Sequence, residues 1–415
     1  MNAVVTGQRL SLALALALCS SQTFAAPFAL QSRAAFDNAH PVVAGMRADG
    51  SVSALSQMQI DSAALSAESD RLEFQLAGNR TVVARRSGSR FSEDGTLVWE
   101  GYIEGKSNPA GADSRAQPDD LLNTVTLVKS GDEIAGTLRI DGRLHKLSSL
   151  GHGQHVLASI DESKLPPDHP AEYKSLPVSN IGIEDHGGKA EAGTKAISTI
   201  RVMVVITDRA KTKIGNITNF VNLALSETNA GYTNSGVEIT AQLAGTYTTS
   251  YVESGSMSTD LARIRGTSDG YMDSVHSLRN TNAADIVMFV IDNAASCGLA
   301  SGIGSTATTA FAAVHYSCAT GYYSFGHEMG HLQSARHDPA NDPTTTPYAY
   351  GHGYQYPAGG WRTIMAYACS TGTCNRINYW SNPAKLRSGV PMGTTSTHHN
   401  QRVLNNTKAT IAAFR

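Results

Sequence analysis

His327-Glu328-Met329-Gly330-His331-Leu332-Gln333-Ser334-Ala335-Arg336-His337-Asp338 is the stretch from which the rest of the chain can be read. On a helix of about 3.6 residues per turn, His327 and His331 stand one above the other on one face. Phe325, Met329 and Leu332 gather on the other face. Such a helix turns two imidazoles to a cleft and an apolar stripe to a core. The HExxH spacing suits zinc: two nitrogen ligands one turn apart, with Glu328 beside them to take a proton from water. His337, six residues after His331, supplies a third nitrogen if the chain doubles back sharply after the helix. Three protein ligands leave a fourth position for water, the arrangement of a catalytic zinc site rather than a structural one. HExxH alone arises by chance in about 2% of chains of this size and composition; the third histidine lowers that to about one in two thousand.

The longer pattern HExxHxxxxxH resembles the metzincin zinc endopeptidases. Thr363-Ile364-Met365-Ala366-Tyr367, with Met365 28 residues after His337, is similar to their methionine turn. Ser334 departs from the pattern, because the family places Gly there in a left-handed conformation. A non-Gly residue in that conformation costs about 1–2 kcal/mol. Asp338 is similar to the snake-venom and ADAM branch, Tyr367 to the astacins and serralysins. In motif wording and layout the chain most resembles the bacterial peptidyl-Asp metalloendopeptidases, over roughly its last half.

The resemblance implies an α+β fold: a metzincin-like catalytic domain with a twisted mixed sheet, a zinc-binding helix and a methionine turn, preceded by a β-rich propeptide. It implies one catalytic zinc ion on His327, His331 and His337, Glu328 as general base, and Met365 packed beneath the metal. Tyr367 is expected to donate to the oxyanion or to lie near zinc, against the plainer reading of a packed tyrosine. Asp338 is expected to make a structural hydrogen bond behind the ligand loop. Cleavage on the amino side of Asp, with Glu as an extension, requires a cation in the primed-side pocket, since a buried unpaired carboxylate is costly. Arginine grips a carboxylate with two bonds. Arg376 is the first choice, with Arg387 and Lys385 behind it. Two rivals stand beside this reading: a zinc endopeptidase without acidic preference, and a non-catalytic binding module of metzincin shape. The intact Glu328 speaks against the second.

The 415 residues carry a net charge of −2, enough chain for two domains and no reason to invoke nucleic acid or a membrane. Arg9, the apolar run Leu10 to Cys19 and the small residues Ala25 and Ala26 read as a secretory signal cut after Ala25. No later segment reaches the length of a membrane span, so the mature protein is expected to be secreted and soluble. It is further expected to act on proteins or peptides as a monomer. Cys19 leaves with the signal. Cys297, Cys318, Cys369 and Cys374 remain, an even number that favours two disulfides in an exported chain. Three pairings are open, of which Cys297–Cys318 and Cys369–Cys374 is favoured. The spacings match no zinc pattern.

Between Ala26 and about Ile197, Arg71 to Arg85, Leu97 to Ile103, Thr124 to Val128 and Ile134 to Ile140 alternate as strands between Gly-bearing turns. This all-β or α+β unit, residues 26–197, is read through the resemblance as a propeptide that assists folding and inhibits the enzyme, against the plainer reading of a retained N-terminal domain. Pro166-Pro167, Pro170 and the polar run Asn180 to Thr194 read as its linker. It contains no cysteine, so any latency ligand must be a carboxylate or histidine. Asp168-His169 and Asp185-His186 are the candidates, with a steric block as the alternative.

From residue 198 to 415, the catalytic domain, Thr199 to Ile206 and Ala284 to Ile291 read as buried strands. Ile217 to about Asn229 reads as a helix, Val237 to Leu243 as a strand. Leu261 to Leu278 contains helical stretches with Tyr271, Val275 and Leu278 on one face. Cys297 to Ile303 and Ala310 to Tyr316 are two more strands before the HExxH helix. The order β-α-β-α-β-β-β-α suits a mixed sheet covered by helices. Gly298 to Ile303 is the expected edge, free to pair with an extended peptide. Arg402 to Phe414 reads as a closing helix. His315, His352, His398 and His399 lack a motif-spaced partner and read as ordinary core or surface residues. No calcium-binding Gly-Gly-x-Gly-x-Asp repeats follow.

Overall fold

Alternating strands build the N-terminal half. The computed structural model describes residues 26–30, 37–105, 121–181 and 196–415. The expected signal (1–25), Asp185-His186 and most of the linker lie outside these. Strand β1 (Phe28–Leu30), helix α1 (Pro41–Ala48) and strands β2 (Val52–Ile60), β3 (Arg71–Leu76) and β4 (Arg80–Phe91) come first. Then follow β5 (Leu97–Ile103), β6 (Thr124–Ser130), β7 (Glu133–Ile140), β8 (Arg143–Gly151) and β9 (Gln154–Ile160). They close into a barrel in the order β1-β2-β9-β8-β7-β6-β5-β4-β3. All neighbours are antiparallel except β1 and β3, which meet in parallel at Phe28 and Phe74. Closure removes the exposed edges that an open sheet would leave. Phe28, Phe74, Trp99, Leu127 and Leu138 fill the interior.

The second half is a sheet with helices on both faces. It comprises β10 (Ser198–Thr207), α2 (Asp208–Ile214), α3 (Ile217–Ser235), β11 (Ile239–Thr249), α4 (Met257–Arg265) and α5 (Ser274–Thr281). It continues through β12 (Ile286–Ile291), β13 (Gly298–Ala300), β14 (Phe311–His315), α6 (Tyr316–Ala319) and α7 (Ser324–Leu332). The strand order is β11-β10-β12-β14-β13. All pairs are parallel except β13 with β14, so β13 is an antiparallel edge. Strands buried on both faces read as continuous apolar runs, and β12 is one: all six of its residues are buried. Along β10, Val202, Val204 and Ile206 face a core shared with α3 and α7. Met203 and Val205 point to the opposite core, with Leu261 of α4 and Val275 of α5.

The remaining elements are short: β15 (Gln355–Tyr356), β16 (Trp361–Arg362), β17 (Asn375–Arg376), β18 (Asn382–Arg387), β19 (Val390–Met392) and the closing helix α8 (Asn400–Ile411). Disulfides join Cys297 to Cys318 and Cys369 to Cys374, with Cα separations of 5.4 and 5.6 Å. No helix among the described residues is long and apolar enough to cross a membrane.

Several boundaries differ from the sequence reading. Helix α3 runs past Asn229 to Ser235, where Gly236 takes a left-handed cap (φ +71°). Its last turns look polar, but Gly231, Tyr232 and Ser235 are buried by the other half of the domain; Tyr232 stacks on Trp380 and Asn234 donates to Asn378 O. Strand β11 reaches Thr249 because its small and polar end still pairs with β10 across a bulge at Val202/Met203. Tyr271 shares no helix face with Val275 and Leu278. It lies between α4 and α5, half exposed, under the Arg263 guanidinium 4.0 Å from its ring. Proline-rich Pro166 to Pro170 is no free linker either: it lies in the cleft beside β13, as described below.

The barrel docks on α3 and on the turn before α7. Arg139 is buried there, paired through two bonds with Glu162 (2.7 and 2.9 Å) and donating to Gly321 O. Glu227 of α3 takes Thr137 Oγ1–H at 2.6 Å and Gly321 N–H at 2.7 Å. Burial pushes its carboxyl up to about 7 from the ordinary 4.5, against these hydrogen bonds, which act to lower it. A carboxyl raised in the folded state is stabilising at low pH, and that stability is lost as pH climbs from the unfolded to the folded value. Relative to Glu227→Gln, the wild-type chain should therefore lose on the order of 3 kcal/mol between these two pH values. Denaturant unfolding of both proteins across that range measures it; parallel curves would contradict it.

Candidate metal centre

Helix α7 is buried along its whole length. Phe325, Met329 and Leu332 anchor it in the core beneath the sheet. It ends at Leu332, and Ser334 takes a left-handed conformation with φ +75°. That single residue reverses the chain and returns His337 to the face carrying His327 and His331. The Nε2 atoms of the three histidines then lie 3.1, 3.2 and 3.0 Å apart.

These short distances are not hydrogen bonds between rings. His327 Nδ1 lies 2.9 Å from Ile364 O and His331 Nδ1 2.8 Å from Ala335 O. A carbonyl only accepts, so each Nδ1 carries the proton and each Nε2 is a bare lone pair. Burial holds all three rings neutral, depressing His327 and His337 well below the ordinary value and His331 to about 3. Neutral nitrogens bound to one ion at about 2.0–2.1 Å in a tetrahedron stand about 3.3 Å apart. The observed spacing and donor set fit a divalent metal of that kind.

The surrounding chain is cut to this arrangement. Ile364, which orients His327, begins the tight turn that puts Met365 beneath the helix. The space above Met365 is left by Gly330: a Cβ there would stand 3.1 Å from Met365 Sδ and closer still to Trp380. Asp338 accepts from Tyr367 N at 2.9 Å and from Asn341 Nδ2 at 2.9 Å, tying the ligand loop to this turn. His352, outside the ligand set, donates to His337 O at 2.7 Å and holds the third ligand from behind. Such outer partners orient ligands and tune their affinity. His315, His398 and His399 are taken up by Ser317, Thr394 and Gln401.

Glu328 points toward edge strand β13. A Cβ at Gly298 would collide with its carboxylate, so only glycine lets the strand approach so closely.

Arg376 is 1% exposed and its Nη1 donates to Tyr322 O at 3.2 Å, with the guanidinium 4.2 Å from the Tyr322 ring. Its Nη2 lies 2.8 Å from Asp168 Oδ2. Arg362, which the sequence did not single out, stands 3.9 Å from the same oxygen. Burial alone would raise the Asp168 carboxyl; the two guanidinium groups overcome this and hold it below the usual carboxylate range. Lys385 is half-buried on β18, against Gly236, and has no part in this cluster. Arg387 lies on the same β18–β19 hairpin.

Asp168 belongs to the segment read as linker. Cys297 N donates to Pro167 O at 2.8 Å and Gly298 N to Asp168 O at 3.1 Å, so the segment runs along the sheet edge. His169 follows, grouped with His327, His331 and His337 so that one ligand atom of each lies within 4.8 Å of the others. The doublet was visible in the sequence, but only the fold brings it to the histidines.

Residues 197–381 match the model of metallo-peptidase family M12. The chain is 53% identical over 393 residues to the peptidyl-Asp metalloendopeptidase of Stenotrophomonas maltophilia (strain K279a), covering 94% of this chain and 93% of that one. To the protein of the same name from Xanthomonas campestris pv. campestris it is 50% identical over 391 residues, covering 94% and 92%. The peptidyl-Asp metalloendopeptidase of Pseudomonas fragi is 53% identical over 191 residues, 46% of this chain and all of that one.

Ser334 carries the conformational cost of the reversal, and its buried hydroxyl has no hydrogen-bond partner. Ser334→Gly should stabilise the protein by about 1–2 kcal/mol in denaturant unfolding. An unchanged midpoint would mean that the turn is not strained at this residue.

Proposed function

Since this chain belongs to the peptidyl-Asp metalloendopeptidases, we propose that it cuts peptide bonds on the amino side of aspartate, and of glutamate by extension. We assign its metal as a single zinc ion on His327, His331 and His337, a donor set of three neutral imidazoles that suits this ion. Zinc held there supplies Lewis acidity for the scissile carbonyl and acidifies water at neutral pH. The other steps belong to the protein. Strand β13 offers to an extended peptide the edge that Pro167 and Asp168 line in this chain, and fixes its register. Glu328, beside the three imidazoles, takes the proton of the attacking water and passes it to the leaving amine. Burial pushes the Tyr367 hydroxyl well up, so it remains a proton donor, and its role is to donate to the carbonyl oxygen as charge develops. Met365 is the platform beneath the ligands, in keeping with a metzincin-like domain.

The observation that carries the specificity is the buried Arg376. A guanidinium enclosed beside the three histidines and already engaged by a carboxylate is what recognition of an acidic side chain requires. Arg362 adds a second positive charge.

The same reading divides the chain into a signal peptide (1–25), a propeptide (26–197) that inhibits the enzyme, and a catalytic domain (198–415). The protein acts as a secreted monomer. Two disulfides among the described residues support an oxidising destination.

Removing one partner of a buried charge pair costs about 3–5 kcal/mol. On peptides with Asp after the scissile bond, Arg376→Ala should lower kcat/KM by about 10²–10³-fold while a matched Asn peptide changes little. Mapping cleavage sites on a denatured protein checks the specificity itself. Cuts without an acidic residue on their carboxyl side, or an unchanged pattern in Arg376→Ala, would overturn the assignment. Gly298→Ala should lower kcat by about 10²-fold through displacement of Glu328; single-turnover rates measure this step.

A further inference from the structure

We propose that Asp168 and His169 form a two-pronged internal plug, Asp168 filling the acidic-side-chain pocket and His169 giving the metal its fourth nitrogen. This deepens the reading above and rests on it.

The acidic prong is the ion pair of Asp168 with Arg376, both nearly enclosed: side chains 8% and 1% exposed. Asp168 thus takes the place of a substrate aspartate. The bond that such a mimic would present for cutting is Pro167–Asp168. Its carbonyl is not turned toward the imidazoles, because Pro167 O accepts from Cys297 N, and the next carbonyl, Asp168 O, accepts from Gly298 N. The plug therefore occupies the pocket without offering a peptide carbonyl to the metal.

What it offers instead is a ring. The His169 side chain is 1% exposed, with its centroid 5.0, 4.9 and 4.6 Å from those of His327, His331 and His337. Its Nδ1 lies 3.2 Å from the Tyr367 hydroxyl. Its Nε2 lies 3.1 Å from Glu328 Oε1 yet has no hydrogen-bond partner, a buried nitrogen left over beside three others. His169 so covers the oxyanion donor, the general base and the open coordination position together. Tyr173 holds the segment in place, its ring stacked 4.2 Å from His337 and its hydroxyl donating to Asp342 at 2.7 Å. A four-histidine site has no position for water, and latency follows from coordination rather than from bulk alone.

The test uses the full-length chain carrying Glu328→Gln, which prevents self-processing, with cobalt(II) in place of zinc. Visible absorption reports the ligand set, and transfer of the metal to a chromophoric chelator reports its hold. His169→Ala and His169→Gln should both alter the cobalt bands and speed metal transfer by at least about tenfold. Tyr173→Phe, which removes a support but no ligand, should leave the bands unchanged. Asp168→Asn should keep the bands while admitting a fluorescent Asp-containing peptide that the parent excludes. Circular dichroism establishes that each variant is folded. Unchanged bands and transfer rates in both His169 variants would overturn the fourth-ligand assignment in favour of a steric block. Exclusion of the peptide by Asp168→Asn would overturn the pocket assignment. Both metal readouts are independent of peptide specificity, so a failure of the Asp preference would leave them standing.

Discussion

Three neutral imidazoles aim bare lone pairs at one point from 3.0 to 3.2 Å apart. Without a cation between them this convergence is repulsive, and water does not reach the buried rings to relieve it. The scaffold has to impose the geometry before a metal can reward it. It does so with carbonyls that fix two tautomers, a left-handed serine that reverses the chain, and a methionine turn seated on a glycine. Each of these acts on the backbone or on the far side of a ring, so the ligand nitrogens stay free.

The same constraint explains how the rest of the cleft is assembled. Edge strand β13 lies close enough to Glu328 that residue 298 must be glycine. The Cys297–Cys318 disulfide ties the start of that strand to the helix that follows β14. Arg376 enters from the opposite side on β17, which pairs with β16 and so stands beside Arg362. Glu328, the edge strand and Arg376 thus come from separate stretches of chain, brought together around one buried helix. The segment that follows the N-terminal barrel adds a fourth by bringing Asp168 and His169 into the cleft.

Much of this was legible because it depends on local spacing. The ligand set follows from residues one helical turn apart and a third on the next loop. The buried strands follow from apolar runs such as Ile286 to Ile291; four cysteines near the motif favoured two disulfides but left three pairings open, and the fold joins Cys297 to Cys318 and Cys369 to Cys374. Other features depend on contacts between distant residues. Closure of the barrel turns on one parallel pairing, Phe28 with Phe74, that no periodicity signals. The end of α3 is partly buried because Trp380 and Asn378 fold over it. Pro166 to Pro170 was misread because a proline-rich extended segment has the same composition whether it spans solvent or lies along a sheet edge. Arg362 was missed for a related reason: nothing in its neighbourhood in the chain distinguishes it from an exposed arginine.

The account stands on a single metal ion held by residues 327, 331 and 337. Anomalous diffraction collected on either side of the zinc absorption edge, from crystals of the protein purified without added metal, tests this most directly. One peak is expected, about 2.0–2.1 Å from the Nε2 atom of each of the three histidines. A map with no zinc peak between these rings, or with the ion bound elsewhere, would contradict it.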